Sequence, residues 1–81
     1  MFPTAEADAV IERTRDVVAA DIAARMVARA YVSVEPATPE WSNTLAQLAA
    51  AMERLDAAIV AANAAMRAFD AAAASAAASL N

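Results

Sequence analysis

Large apolar side chains recur along the second half of the chain with the period of a coiled coil. From Trp41 onward they follow steps of four and then of three and four residues in alternation, which places them at positions a and d of successive heptads. Charged and amide side chains avoid both positions. We therefore predict a helix that packs through this edge, with an interface made of Trp41, Leu45, Leu48, Met52, Leu55, Ile59, Met66, Phe69, Ala73, Ala76 and Leu80.

Small side chains fill positions f and g, beside this edge. One interpretation is a shelf of methyl groups over which another helix approaches closely. The other is exposed alanine that serves helix propensity alone, and the pattern favours neither. The positions are Thr44, Ala50, Ala51, Ala57, Ala58, Ala64, Ala65, Ala71 and Ala72.

The fold class predicted from these patterns is all-α: an antiparallel hairpin of a short and a long, alanine-rich helix, completed by oligomerisation. Pro36 and Pro39 each exclude helical geometry from the preceding residue, and Thr38 followed by Pro39 is a typical helix start. Thr4 is the predicted N-cap of the first helix. The expected bounds are one domain over residues 1–81, with helix 1 over about 5–32, a connector over about 33–38 and helix 2 over about 39–80.

Three features of the sequence leave alternatives open. Val32-Ser33-Val34 either ends helix 1 or forms a short strand that pairs with another molecule. Asp21 and Arg25, four residues apart, form either an ion pair on the rim of an interface or a partly buried pair that fixes helix register. Trp41 either caps the hairpin core or anchors a partner protein.

Helix 1 also has a predicted apolar side, which is less regular than that of helix 2. It consists of Val10, Thr14, Val17 and Ala24, flanked by Ile11, Val18 and Ile22.

The unequal helix lengths predict association with other chains. Helix 1 is ~40 Å long and helix 2 is ~60 Å, at 1.5 Å per residue. In a hairpin, helix 1 then covers helix 2 only to about Met66 or Arg67. Residues 69–80 continue the apolar heptad beyond that point, so we expect neighbouring subunits to cover them.

Composition excludes several classes of chemistry. The 81 residues include 28 alanines and no Gly, Cys, His or Lys, and six Arg against ten acids give a net charge of −4. Zinc sites of nitrogen and sulfur ligands, thiol or imidazole catalysis and glycine-rich phosphate loops therefore lack their residues. The acidic row Asp8, Glu12 and Asp16 is interpreted as a solvated helix face. We expect no enzyme, cofactor, metal, small-molecule substrate or nucleic-acid partner.

The sequence also predicts a chain without a membrane span. The longest uncharged runs of its most apolar part cover residues 57–66 and 71–81, short of the ~20 residues that a spanning helix needs. The first residues lack the basic and apolar regions of a signal peptide. A soluble protein of the cytoplasm or of a virion is therefore expected.

Trp41-Ser42-Asn43 resembles the Trp-x-Gly motif of small secreted helical hairpins of the WXG100 type, although Asn43 replaces the glycine. The resemblance covers about half of the chain and implies a secreted hairpin that pairs with a partner. The function that we expect first is a non-enzymatic structural subunit, such as a small virion or filament component, that assembles with itself or with other proteins. The alternative is a small interaction module: a WXG100-like protein, an antitoxin or an adaptor.

Overall fold

The computed structural model describes residues 2–80 and has two antiparallel helices joined by a short connector. Helix α1 covers Thr4–Ser33, and helix α2 covers Pro39–Ser79. They pack against each other along a rod whose Cα extents are 65 × 13 × 13 Å. The predicted helical hairpin is confirmed, with bounds within one residue of those expected. Met1 and Asn81, the ends of the predicted domain, lie outside the described residues.

The connector is held by the threonine that precedes α2. The backbone N–H of Trp41 donates a hydrogen bond of 3.1 Å to Thr38 Oγ1, as expected of an N-cap, and Pro39 occupies the first helical position. The Thr38 hydroxyl in turn donates to the carbonyl of Glu35 at 2.8 Å. Ala37 has a φ of 65°, in the left-handed region that favours glycine. The chain therefore reverses through a non-glycine residue in an unfavourable conformation.

One local prediction for α1 is wrong, and one of its open alternatives is excluded. The helix begins at Thr4 itself, with Pro3 at the cap position and no side-chain hydrogen bond to the first turn. Pro3 cannot supply such a bond, and the Thr4 hydroxyl contacts the carbonyl of Phe2 instead, at 3.5 Å. The strand alternative for Val32-Ser33-Val34 also fails, since α1 continues through Ser33 and residues 2–80 contain no strand.

The uncovered end of α2 is shorter than the helix lengths predicted. Phe2 packs edge-on against Phe69, with ring centroids 6.0 Å apart, and Phe2 and Pro3 line a groove with Ala73 and Ala76. These two residues precede α1 in a tight turn, in which the Thr4 N–H donates to the carbonyl of Phe2 at 2.9 Å, so their side chains add coverage of α2 beyond the start of α1. The chain therefore covers α2 to about Ala76, and the overhang does not carry the case for association.

The centre of the hairpin is built from small side chains. The residues classed as buried between 2 and 80 are Ala24 of α1 and Thr44, Ala51 and Ala62 of α2. The Thr44 hydroxyl donates to the carbonyl of Glu40 at 2.8 Å, so its burial leaves no donor unpaired. No large apolar side chain within this range is fully buried. Two helices can therefore approach closely, but they cannot enclose their larger side chains.

Candidate interaction surface

Positions d and g of α2, and not a and d, face α1. Ala51 and Thr44 at position g are buried, and Ala58, Ala65 and Ala72 follow them as half-buried residues of the same column. The d column lies beside it, and its members are Trp41, Leu48, Leu55, Ala62, Phe69 and Ala76, all half-buried or buried. Half of the alanine shelf is thus closely packed, whereas Ala57, Ala64 and Ala71 at position f stay exposed.

The remaining column of the predicted interface lies outside this contact. Leu45, Met52, Ile59 and Met66, all at position a, keep 40–46% of their surface exposed. Ala73, in the same column, is half-buried near Phe2, and Leu80 is 80% exposed. The structure therefore divides the predicted interface: its d residues contact α1, and most of its a residues face away from the chain's own core.

Large apolar side chains of α1 are exposed in the same way. Ile11, Val18 and Ile22 keep 51–53% of their surface exposed. Val10 and Val17, which immediately precede Ile11 and Val18, are half-buried against α2. These three residues flanked the predicted apolar side of α1. Their exposure shows that this side is wider than one partner helix covers.

A shallow groove between the helices contains Ile59 and Met66. Helical spacing places the other large exposed residues on the same side of the hairpin, because Leu45 and Met52 continue the row of Ile59, and Val18 and Ile22 follow Ile11. The groove has a volume of about 190 Å³ and is lined by Thr14 and Val17 from α1 and by Ile59 and Met66 from α2. A second groove, beside it, runs between Ile11 and Phe69. We name the apolar face by its exposed members: Ile11, Val18, Ile22, Leu45, Met52, Ile59 and Met66.

The opposite broad face has smaller and more polar side chains. On α1 it carries Arg13 and Asp16, whose ion pair measures 3.3 Å between Nη1 and Oδ2 and is half exposed. On α2 it carries Gln47 and Arg54, both exposed. The hairpin is thus amphipathic across its two broad faces, a property that the heptad of one helix does not display.

A basic edge borders the apolar face along α1. Arg25 follows Ile11 and Val18 at spacings of seven residues, and Arg15 and Arg29 stand seven residues on either side of Ile22. Arg25 also forms an ion pair with Asp21, 3.0 Å from Nε to Oδ2, with side-chain exposures of 74% and 41%. This exposure supports a rim pair, which is worth little to stability, and not the buried register-fixing pair.

An acidic edge borders the same face along α2. Asp56 and Asp70 share one heptad column with Asn63, and Asn63 lines the groove of the apolar face. Both aspartates are exposed. The α2 edge is thus acidic, whereas the α1 edge is net positive, since Arg15, Arg25 and Arg29 outnumber Asp8 and Asp21 there.

The aromatic residues near the connector serve the hairpin itself. Trp41 lies in the first turn of α2 and is half-buried, with its ring centroid 5.7 Å from that of Tyr31 near the end of α1. Such a pair joins the two helices where the chain reverses. The contact supports the interpretation of Trp41 as a cap of the hairpin core.

The described part of the chain contains no group of acidic residues placed to hold a metal ion. Its grooves are open and lined mostly by apolar side chains. The notable feature of the surface is therefore the apolar face, which suits contact with another apolar surface.

Helix α2 also passes a simple test for a membrane span. An 18-residue window within Pro39–Ser79 reaches a mean hydropathy of 1.2, and 6% of that window is buried inside the hairpin. By length and composition alone, α2 is thus long and apolar enough to cross a membrane, although its uncharged runs are shorter than a spanning segment.

Neither a protein-family model, nor a curated protein, nor a solved structure matches this chain.

Proposed function

We propose that the protein is a non-enzymatic assembly subunit that packs through its apolar face into a larger protein body. The observation that carries this proposal is the exposure of seven large apolar side chains on one face of the hairpin. A contiguous exposed apolar surface with polar borders is typical of an interaction site. A soluble protein follows from the same proposal, because partner subunits cover this surface in place of lipid.

The size of the chain supports the same proposal. A chain of about 80 residues rarely gains more than ~3–5 kcal/mol from its own core, and it then needs disulfides, a metal or association. This chain has no cysteine or histidine, and the buried residues between positions 2 and 80 are three alanines and a threonine. Covering the exposed half of one large apolar side chain contributes roughly 1 kcal/mol. Association through the apolar face therefore supplies stability that the hairpin lacks.

The test compares neighbouring residues of α2 that differ in the face they occupy. Ile59→Glu places a charge in the middle of the apolar face. Val60→Glu introduces the same side chain at the next residue, which is apolar and 66% exposed but lies off the face. We expect light scattering coupled to size exclusion to show an oligomer for the wild type and for Val60→Glu, and a species at least twofold smaller for Ile59→Glu.

Circular dichroism of the three proteins completes the experiment, since it separates loss of assembly from loss of helix. A wild-type chain that stays monomeric up to several hundred micromolar would refute the assembly subunit. It would favour the adaptor alternative, in which the apolar face binds a different protein. An oligomer that Ile59→Glu leaves intact would show that assembly uses another surface.

A further inference from the structure

The proposed assembly leaves open what covers the apolar face, and the arrangement of its side chains and charges identifies an occupant. We infer that a second copy of this chain packs on the apolar face, related by a two-fold axis parallel to the helices, so that α1 of each copy lies on α2 of the other. This inference rests on the proposed function and specifies its first step. The product is a four-helix bundle in which every pair of adjacent helices is antiparallel.

The first argument is the register of the two apolar rows. Val17 and Ile59 line the same groove, so Val18 lies level with Ile59 to within about one helical turn of 5.4 Å. Ile11 lies seven residues before Val18, and Met66 lies seven residues after Ile59. In antiparallel helices these shifts run in the same direction, so Ile11 is level with Met66.

A two-fold axis parallel to the helices keeps every residue at its level and exchanges α1 with α2. It therefore brings Val18 of one copy onto Ile59 of the other, and Ile11 onto Met66. Ile22 is placed within about one turn of Met52 by the same operation. The exposed rows of the two helices are thus complementary to each other within a symmetric pair.

The second argument is the charge along the borders. The parallel axis sets the basic edge of each copy beside the acidic edge of the other, with Asp56 at a level between Arg15 and Arg25. Asp70 is level with Asp8 and opposes this attraction at one end. A two-fold axis perpendicular to the helices would instead stack α1 on α1 and α2 on α2, so that arginines meet arginines and aspartates meet aspartates. Charge therefore selects the parallel axis.

The third argument is the area of the face. Leu45 to Met66 span ~32 Å at 1.5 Å per residue, and two helices side by side are ~20 Å wide with their side chains. The face thus covers roughly 650 Å², which approaches the ~800 Å² that each partner buries in a protein interface of standard size. One further hairpin of the same length and width covers it completely.

Disulfide pairing tests the arrangement, because the chain has no cysteine of its own. Val18→Cys and Ile59→Cys chains are mixed in equal amounts in denaturant, refolded together and equilibrated in a glutathione redox buffer. Random pairing makes half of the disulfide-linked dimers mixed. We expect well above 80% mixed dimers, because the parallel axis brings residue 18 of one chain to residue 59 of the other. A mixed fraction of half or less would overturn the inference.

Two further measurements make the result specific. Ala23→Cys and Arg54→Cys occupy exposed positions of the opposite broad face, so their mixture should form few linked dimers. Asp56→Arg should weaken dimerisation by at least fivefold at low salt, whereas Glu12→Arg, with the same change of charge on an exposed residue off the face, should not. An unchanged affinity for Asp56→Arg would contradict the predicted contact between opposite edges.

The outcomes separate this inference from the assembly proposal. An oligomer that Ile59→Glu dissociates but that shows no excess of mixed disulfides would leave the assembly subunit standing and overturn the two-fold pairing. A monomeric wild type overturns both. Flotation of the wild-type chain with phosphatidylcholine vesicles, lost in Ile59→Glu, would assign the face to lipid and also overturn the pairing.

Discussion

Substitution of Ala51 tests whether close approach of the helices, and not helix propensity, explains the alanine column. Ala51 is 1% exposed and lies at position g against α1. Leucine at this position adds three carbon atoms where no free surface remains. Overpacking of this kind costs ~1–3 kcal/mol, because the helices must separate or the side chain must adopt a strained rotamer.

The matched control is Ala57→Leu, at the exposed position f of the next turn. Leucine and alanine have similar helix propensities, so this change should stay within about 0.5 kcal/mol. A free-energy change of 1 kcal/mol shifts the melting temperature of a chain of this size by ~4–8 °C. We therefore expect Ala51→Leu to melt roughly 5–20 °C below Ala57→Leu.

Thermal and urea unfolding followed by circular dichroism provide the measurement. All variants must be compared at one chain concentration and again at a tenfold dilution, since association raises apparent stability by mass action. An Ala51→Leu protein that melts with or above Ala57→Leu would refute close packing. Alanine would then serve propensity alone, and another contact would have to hold the helices together.

Two other substitutions test the hairpin at its middle and at its turn. Leu55→Asp places a charge at a half-buried d position facing α1, so we expect loss of the folded hairpin. Cooperative thermal unfolding in that variant would contradict the contact of the d positions with α1. Thr38→Ala removes the acceptor for the Trp41 N–H and should lower the free energy of unfolding in urea by about 1 kcal/mol. The control, Ser42→Ala on the exposed surface of the first turn, should lower it by less than about 0.5 kcal/mol. Equal effects of these two would show that the cap is not needed.

The helices and their turn were predictable because local chemistry determines them. Pro36 and Pro39 exclude helix from the residues before them, and Thr38 supplies an acceptor at the one place where a helix can restart. The proline restrictions and the Thr38 cap both act within a few neighbouring residues, so the helix bounds can be predicted without knowledge of tertiary contacts.

The division of the apolar heptad was not predictable from the same pattern. A heptad marks an edge of α2 but does not specify on which side of that edge α1 lies. Methyl groups at positions f and g are compatible with both burial and exposure, so Ala57 and Ala51 look alike in the sequence. The structure distinguishes them because α1 packs on the side of α2 that carries position g, which buries Ala51 and leaves Ala57 exposed.

The reach of the N-terminus was misjudged for a geometric reason. The expected coverage of α2 counted only the residues of helix 1, whereas the side chains of Phe2 and Pro3, which precede α1, also lie against α2.

The conformation of Ala37 has a consequence for how copies of this protein meet. The left-handed conformation destabilises a residue with a Cβ atom by roughly 1 kcal/mol. A straightened connector would release this strain at Ala37. Two straightened chains could then swap their first helices and recover every contact of the closed form, which is the route by which strained hinges lead to domain-swapped dimers. Concentrated or slowly refolded samples should therefore be inspected for long, interlocked dimers alongside compact ones.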